Sequence, residues 1–246
     1  MKLTTFAEYM VILYMQSIKR TGFAPDLRGR PGHGKTWTIK QFPRIMKEAF
    51  PQKNYGLNVI EGATLTTSTA MGWMVLGEKD RFGTKSIFSN PFWMYDDKGM
   101  HISNYDGGVI LVDDWHLIDP EIKRILVQAA YEGILANHNF RQYKWAMWTA
   151  GNQAHHRSGQ TKEMDMMINR QDKIEISDDP DGMKAAFKAE GAMPVTIEFA
   201  DKYAMDHIYV DPPKEQGPFC TPRSLMASDT FLRDAQESFG MDEVPT

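Results

Sequence analysis

Gly29-Arg-Pro-Gly-His-Gly-Lys-Thr36 is the stretch on which the rest of the chain turns. Its spacing is G-x-x-x-x-G-K-T, the pattern of a phosphate-binding loop. Glycines let backbone N–H groups approach and wrap a run of phosphates. The lysine reaches the outer phosphates, and the threonine hydroxyl suits a magnesium ion. The expected cradle comprises Gly29, Arg30, Pro31, Gly32, His33, Gly34, Lys35 and Thr36, with Trp37 following on the helix that starts there. That helix reads from Lys35 to Phe50 with a kink at Pro43, and its positive end adds to the cradle. The strand expected before it, Pro25-Asp-Leu-Arg28, is poorly apolar.

Outward from the loop, strand and helix signals alternate. Leu57-Asn-Val-Ile60 reads as a short strand, and Val109-Ile-Leu-Val112 is the continuous apolar run of a strand buried on both faces of a parallel sheet. Asp113 and Asp114 follow it, at the sheet edge where ligands bind in open α/β folds. Asp113 suits support of a magnesium ion and Asp114 suits polarisation of an attacking water, unless both acids merely cap the next loop. Asp119 caps the next helix, Pro120 fits its first turn, and Gly133 ends it. Ile122, Ile125, Leu126, Ala129 and Ala130 form its apolar face. Trp145 to Thr149 reads as another buried strand. It runs into Gly151 and Asn152, whose amide suits a γ-phosphate or the attacking water, although Gly-Asn is also a common turn. Ile174-Glu-Ile176 is a last short strand. The alternation predicts a three-layer α/β domain with a mainly parallel sheet.

After about residue 177 the character changes. Asp178-Asp-Pro-Asp-Gly182 is a turn cluster, and Met183 to Glu190 reads as a short helix. Thr221, Pro222 and Gly240 bracket a final helix with Leu225, Leu232, Ala235 and Phe239 on one face. The expected division is an α/β domain over 1–177 and a small, mostly helical lid over 178–246. A hairpin-like insert is expected near 88–104, from the alternation in Pro91 to Ile102 around Asp96-Asp-Lys-Gly99. The aromatic cluster Phe88, Phe92, Trp93 and Tyr95 there is either packing or a loop that grips a substrate. Arg170, just before a strand, and Arg223, opening the last helix, suit stabilisation of charge on a transferring phosphoryl group; taken singly, each reads as a surface ion pair.

Composition bounds the partners. With 246 residues, a net charge of −4 and a single cysteine, Cys220, the chain has no global basic field for nucleic acid and suits a reducing, cytoplasmic setting. Phe6 to Ile18 is apolar-rich, but Glu8 interrupts it and Lys19-Arg20 follow it. It is expected to be a packed helix with no membrane role, and Phe6, Met10, Leu13, Met15 and Ile18 only roughly follow a helical stripe. His155-His156 with Cys220 lacks the ligand spacing of a zinc site, and the 17 methionines read as adaptable core filling.

In this order the motifs resemble the AAA+ ATPases, most closely the MoxR-type branch with its McrB-like and dynein-like relatives. Gly29 to Thr36 looks like Walker A and Val109 to Asp114 like Walker B. Asp119 to Glu132 is similar to the helix that follows in this branch. Trp148-Thr-Ala-Gly-Asn152 looks like sensor 1, Ile168-Asn-Arg170 like the arginine-finger segment, and Thr221-Pro-Arg-Ser-Leu225 like sensor 2. The resemblance implies a P-loop NTPase core with a five-stranded parallel sheet, a helical lid, and ATP and Mg2+ as cofactors. It further implies a homo-oligomeric, usually hexameric ring with ATP at subunit interfaces. Arg170 would then act on a neighbour's nucleotide and Arg223 would read the bound state through the lid. MoxR-type proteins often carry an insert between the second strand and Walker B, and commonly remodel protein partners, often one with a von Willebrand factor A domain. Two departures stand out: Asp114 replaces the usual glutamate, and no extra recognition domain is evident, so the target is expected on the core, the insert or a separate subunit. Competing with protein remodelling are a nucleic-acid-handling ATPase, such as a helicase loader or restriction-type motor, and a small-molecule P-loop kinase. The kinase leaves Asn152, Arg170 and Arg223 without a task.

Overall fold

The strand before the glycine loop, weakly apolar in sequence, lies inside the sheet. A computed structural model of the chain describes residues 1–81, 83–152, 171–210 and 219–239. Along the chain run α1 (Leu3–Lys19), β1 (Pro25–Gly29), α2 (Lys35–Lys40), α3 (Phe42–Ala49), β2 (Tyr55–Glu61) and α4 (Thr67–Met71). Then come β3 (Met74–Asp80), β4 (Gly83–Phe88), β5 (Gly107–Asp113), α5 (Pro120–Glu132), β6 (Ile134–Leu135), β7 (His138–Asn139) and β8 (Trp145–Asn152). The last described elements are β9 (Asp172–Glu175), α6 (Pro180–Ala189), α7 (Pro194–Tyr203) and α8 (Pro222–Phe239). Among the described residues, the main sheet has five parallel strands in the order β2–β5–β8–β1–β9.

Period-two alternation divides the sheet between two cores. Ile110, Val112, Trp145 and Met147 face α5 through Ile122, Leu126, Ala129 and Ala130. Val109, Leu111, Ala146 and Trp148 face α1 and the α2–α3 pair through Phe6, Met10, Tyr14, Ile39, Phe42 and Met46. The result is the three-layer α/β P-loop fold that the sequence predicts. In β1 every residue is buried, including Asp26 and Arg28. Arg28 Nε donates to Asp26 Oδ2 at 2.7 Å, and Asp26 Oδ1 accepts from Thr149 Oγ1 at 2.6 Å. Gln171 Nε2 donates to that same hydroxyl at 3.0 Å. Internal pairing thus lets a polar strand sit centrally, where apolar runs are the usual signal.

Three local expectations change. The Lys35–Phe50 helix is two helices broken at Gln41, because Pro43 sits in the first turn of α3 and has no N–H to continue α2. The face of α1 is Phe6, Met10, Tyr14 and Ser17, with Leu13, Met15 and Ile18 only partly buried. Ser17 is drawn inward because its hydroxyl accepts from Trp148 Nε1 at 3.1 Å. The hairpin expected at 91–102 is reduced to one bridge, Tyr95 to His101. Asp96 holds the turn with its own carboxylate, accepting from the N–H groups of Lys98 and Met100 at 3.0 and 2.6 Å, so the turn signal is real but its flanks pair only at that bridge. The ribbon lies upstream in β3 and β4, anchored where Asn137 exchanges two hydrogen bonds with the Phe88 backbone. Of the aromatic cluster, Trp93 is buried and donates Nε1–H to Ala70 O at 2.7 Å, while Phe92 and Tyr95 are exposed.

The helices α6, α7 and α8 share a separate small core of Met183, Phe187, Ala200 and Ile208, with Leu225 and Met226 against it. Sequence signals do not show α7. Its start at Met193 is capped from a distance by Asp229 of α8, which accepts from Met193 N at 2.8 Å and Thr196 Oγ1 at 2.5 Å. Among the described residues, no helix is long and apolar enough to cross a membrane.

Candidate functional site

The carboxyl ends of β1, β5 and β8 bring most of the expected site residues together. The loop after β1 needs φ of 72° at Gly32 and 83° at Gly34, which glycine adopts without steric cost. Gly32 also lies under the start of α8: a Cβ there would stand 2.8 Å from Thr221 Oγ1. Lys35 is buried, and its Nζ donates to Gly29 O at 3.1 Å, Arg30 O at 2.7 Å and Asn152 Oδ1 at 3.3 Å. Burial lowers its pKa from 10.5 to about 8, with the Asp113 carboxylate opposing the shift.

Thr36 Oγ1 donates to Asp113 Oδ2 at 2.5 Å. Two hard oxygens side by side fit a magnesium ion that keeps water and takes substrate phosphates for its other ligands. Among the described residues, no group of three His, Cys, Asp or Glu side chains would hold a metal unaided. Asp114 follows with φ 47° and ψ 38°, a left-handed conformation that aspartate tolerates better than most residues. Its side chain does not cap the next turn, contrary to the bland reading of the acid pair. Asp114 instead lines the same cavity as Lys35 and Thr36.

That cavity, about 570 Å3, runs from the loop to an apolar chamber between α1 and the C-terminal helices. Pro31 to Trp37 line it from the loop, with Asp113, Asp114, Asn152 and Arg223 at the polar end. Leu3, Ala7, Met183, Phe187 and Met226 lie at the other end. Its size is typical of a small-molecule site. Arg223 also borders a neighbouring recess with Thr36, Asp113 and Asp114, and its backbone N–H donates to Gly32 O at 3.3 Å. Arg30 and His33 turn toward Asp178, and the His33 ring meets Tyr209 edge-on at 4.7 Å. Trp37 Nε1 donates to Glu190 Oε1 at 2.9 Å, tying α2 to the end of α6. Arg170, His155 and His156 lie outside the described residues.

Sequence reading missed three contributors. The α1 residues Leu3 and Ala7 carry no local signal of their place in the cavity. His116 is buried against Asn152, and its only trace in sequence is its position two residues beyond Asp114.

No protein-family model and no curated protein matches this sequence. Among solved structures, one mutant of Thermotoga maritima RuvB aligns with a TM-score of 0.49 at 11% identity, over 98% of this chain and 65% of that one. A second RuvB mutant gives 0.48 at 12% identity, over 97% and 64%. A candidate ATPase from Cytophaga hutchinsonii gives 0.45 at 15% identity, over 76% and 51%. The chain therefore spans less than two thirds of the length of these structures.

Proposed function

We propose that the chain binds Mg-ATP in this cavity and hydrolyses it, as an ATPase of the AAA+ type. The observation that carries the reading is the convergence of Lys35, the Thr36–Asp113 pair, Asp114, Asn152 and Arg223 on one sheet edge. In it the loop N–H groups and Lys35 hold the phosphates, and Thr36 and Asp113 hold the magnesium ion, which when bound neutralises charge on the phosphates. Asp114 accepts a proton from, or orients, the attacking water. Asn152 donates to that water or to a γ-phosphate oxygen. The apolar chamber takes the base. Residues 178–246 act as a lid, with Arg223 carried on it into the site.

Asp114→Asn is expected to keep ATP affinity within a few-fold of the parent and lower turnover by about a hundredfold or more, since loss of a general base costs on the order of 10²–10⁴. Equilibrium binding of a fluorescent ATP analogue and steady-state phosphate release check this. Undiminished turnover in the variant would remove Asp114 from the mechanism.

The same reading places ATP between subunits of a homo-oligomeric ring, with Arg170 supplied by a neighbour. Arg170→Ala is expected to bind ATP without turnover, and mixing it with Lys35→Ala protein is expected to restore part of the activity. Absence of recovery in mixed rings would put the arginine in its own subunit or in no role at all. A MoxR-like remodelling of a protein partner is supported by the β3–β4 ribbon, which occupies the interval between β2 and β5 and exposes Trp73, Met74 and Leu76. Strong stimulation of turnover by DNA would overturn the protein-partner reading in favour of nucleic-acid handling.

A further inference from the structure

The helix α1 begins without a cap of its own. Lys2, the residue before it, makes no capping hydrogen bond, and the first turn holds no acid. The first turn of any helix leaves backbone N–H groups without an intrahelical acceptor. Here the acceptor comes from 175 residues away: Asp179 Oδ2 accepts from Thr4 N at 3.1 Å and from Thr4 Oγ1 at 2.8 Å. The same carboxylate caps α6, where Asp179 is the residue before the helix and its Oδ1 accepts from Gly182 N at 3.2 Å. One side chain, 2% exposed, thus serves two helix starts, one oxygen to each. Lys2 Nζ approaches Oδ1 at 3.9 Å, and the positive ends of the two helices favour a charge between them.

The fit between the three is close. A Cβ on Gly182 would collide with the Asp179 carboxylate and stand 2.9 Å from Thr4 Cγ2. Glycine at 182 therefore lets the first turn of α6 rest directly on Asp179 and Thr4. The two helices belong to different cores: α1 packs on the sheet, whereas α6 shares the small core of the C-terminal helices. Their starts nevertheless meet at the apolar end of the cavity, which Leu3, Thr4 and Ala7 line from one side, Gly182 and Met183 from the other, with Asp179 among them.

We infer that Asp179 is a positioning residue for the nucleotide base: by capping α1 and α6 together it makes one wall out of two helix starts that belong to different cores. The inference rests on the reading of this cavity as a nucleotide site. A wall assembled before the base arrives spares the cost of ordering it on binding. A carboxylate is required, because both oxygens must accept. An amide of the same shape has one oxygen and can cap only one of the two helices.

Asp179→Asn tests this, with ATP and inorganic tripolyphosphate as the two probes, each as its magnesium complex. Tripolyphosphate has neither base nor sugar, so its binding reports the phosphate loop alone. The variant is expected to bind ATP about ten- to thirtyfold more weakly, and tripolyphosphate within about threefold of the parent, since only the preformed base wall is lost. Gly182→Ala, which pushes the carboxylate aside without removing it, should show the same split. Hydrogen exchange followed by NMR reads the cap itself. In the parent the backbone amides of Thr4 and Gly182 should both be protected; in Asp179→Asn one should exchange about tenfold faster while the other holds. Rapid exchange at either amide in the parent would overturn the shared cap, and that measurement needs no variant to fold. Equal losses for ATP and tripolyphosphate in a folded Asp179→Asn protein would overturn the role in base binding. So would parent affinity for ATP in a variant that had lost the protection of one amide. A parent protein that protects both amides but binds no ATP would refute the nucleotide reading while leaving the shared cap standing.

Discussion

Lys35→Met is expected to lose ATP binding while making the nucleotide-free protein more stable. Removing one partner of a buried, hydrogen-bonded charge contact costs about 2–5 kcal/mol, roughly 30- to 4000-fold in Kd. The stabilisation follows from the same burial. Lys35 holds its proton only to about pH 8 in the folded chain, against 10.5 for an ordinary lysine. A base whose folded pKa is depressed binds its proton more tightly in the unfolded chain, so the folded state carries the full cost below pH 8. That cost is on the order of 3 kcal/mol and disappears as the pH rises from about 8 to 10.5. Lys35→Met should therefore melt above the parent at pH 7, with the gap narrowing beyond pH 8. Parent affinity for ATP should also weaken above pH 8, as the free lysine loses the charge that the phosphates require. Calorimetric titration and thermal melts at pH 7 and pH 9.5 measure both effects. Near-normal affinity in the variant would refute the phosphate-binding assignment. A lower melting point at pH 7 would show that the three contacts of Lys35 outweigh its desolvation.

The stability penalty and the function have one source. The ammonium is kept in a site where its present partners are two backbone carbonyls and one amide, all neutral. Such groups satisfy its N–H donors without offsetting its charge, which a phosphate would do. Asp113 is the carboxylate that opposes the shift most, ahead of Asp114, but its Oδ2 is engaged by Thr36. A buried cation with a surplus of charge is a reason for the cavity to prefer an anion.

How much of this was legible in the sequence depends on the range of each interaction. The α5 helix is readable end to end because its start and stop signals are local: Asp119 accepts from Glu121 N at 2.8 Å, and Gly133 takes φ 77°. β5 was readable because both its faces are apolar, and the residues after it then had to lie at the ligand edge. The helix α7 was not, because its cap comes from Asp229, 36 residues away. The ribbon lies elsewhere than the sequence predicts because Asp96 builds a turn that has the composition of a hairpin but only one bridge beside it. In the site itself, the sequence places the loop by its glycine spacing, Asp113, Asp114 and Asn152 by their positions at strand ends, and Arg223 by the helix it opens; the structure brings them to one cavity. His116 is not legible, since nothing in a lone histidine says that it packs against Asn152.

The polarity of β1 produces the second large effect. Asp26→Ala is expected to destabilise the fold by about 3–5 kcal/mol, the range for removing one partner of a buried ion pair. Asp26 is completely buried between Arg28 on its own strand and Thr149 on β8, so the variant deprives a guanidinium and a hydroxyl of the same acceptor. Replacing both charges at once should behave differently. A buried pair repays its desolvation poorly, and apolar substitutes of similar volume are often neutral or better. Asp26→Val combined with Arg28→Met is therefore expected to lose less than half as much as Asp26→Ala alone, in urea unfolding followed by circular dichroism. Equal losses would mean that the Thr149–Gln171 hydrogen bonds, rather than the charge pair, hold this part of the sheet. The register gives the pair a consequence for the site. Arg28 lies opposite Gly151, one residue before Asn152, so the double variant repacks the strand directly beneath that amide. If the pair serves only stability, the double variant should keep the parent's kcat; if it also sets the height of Asn152, kcat should fall while stability recovers.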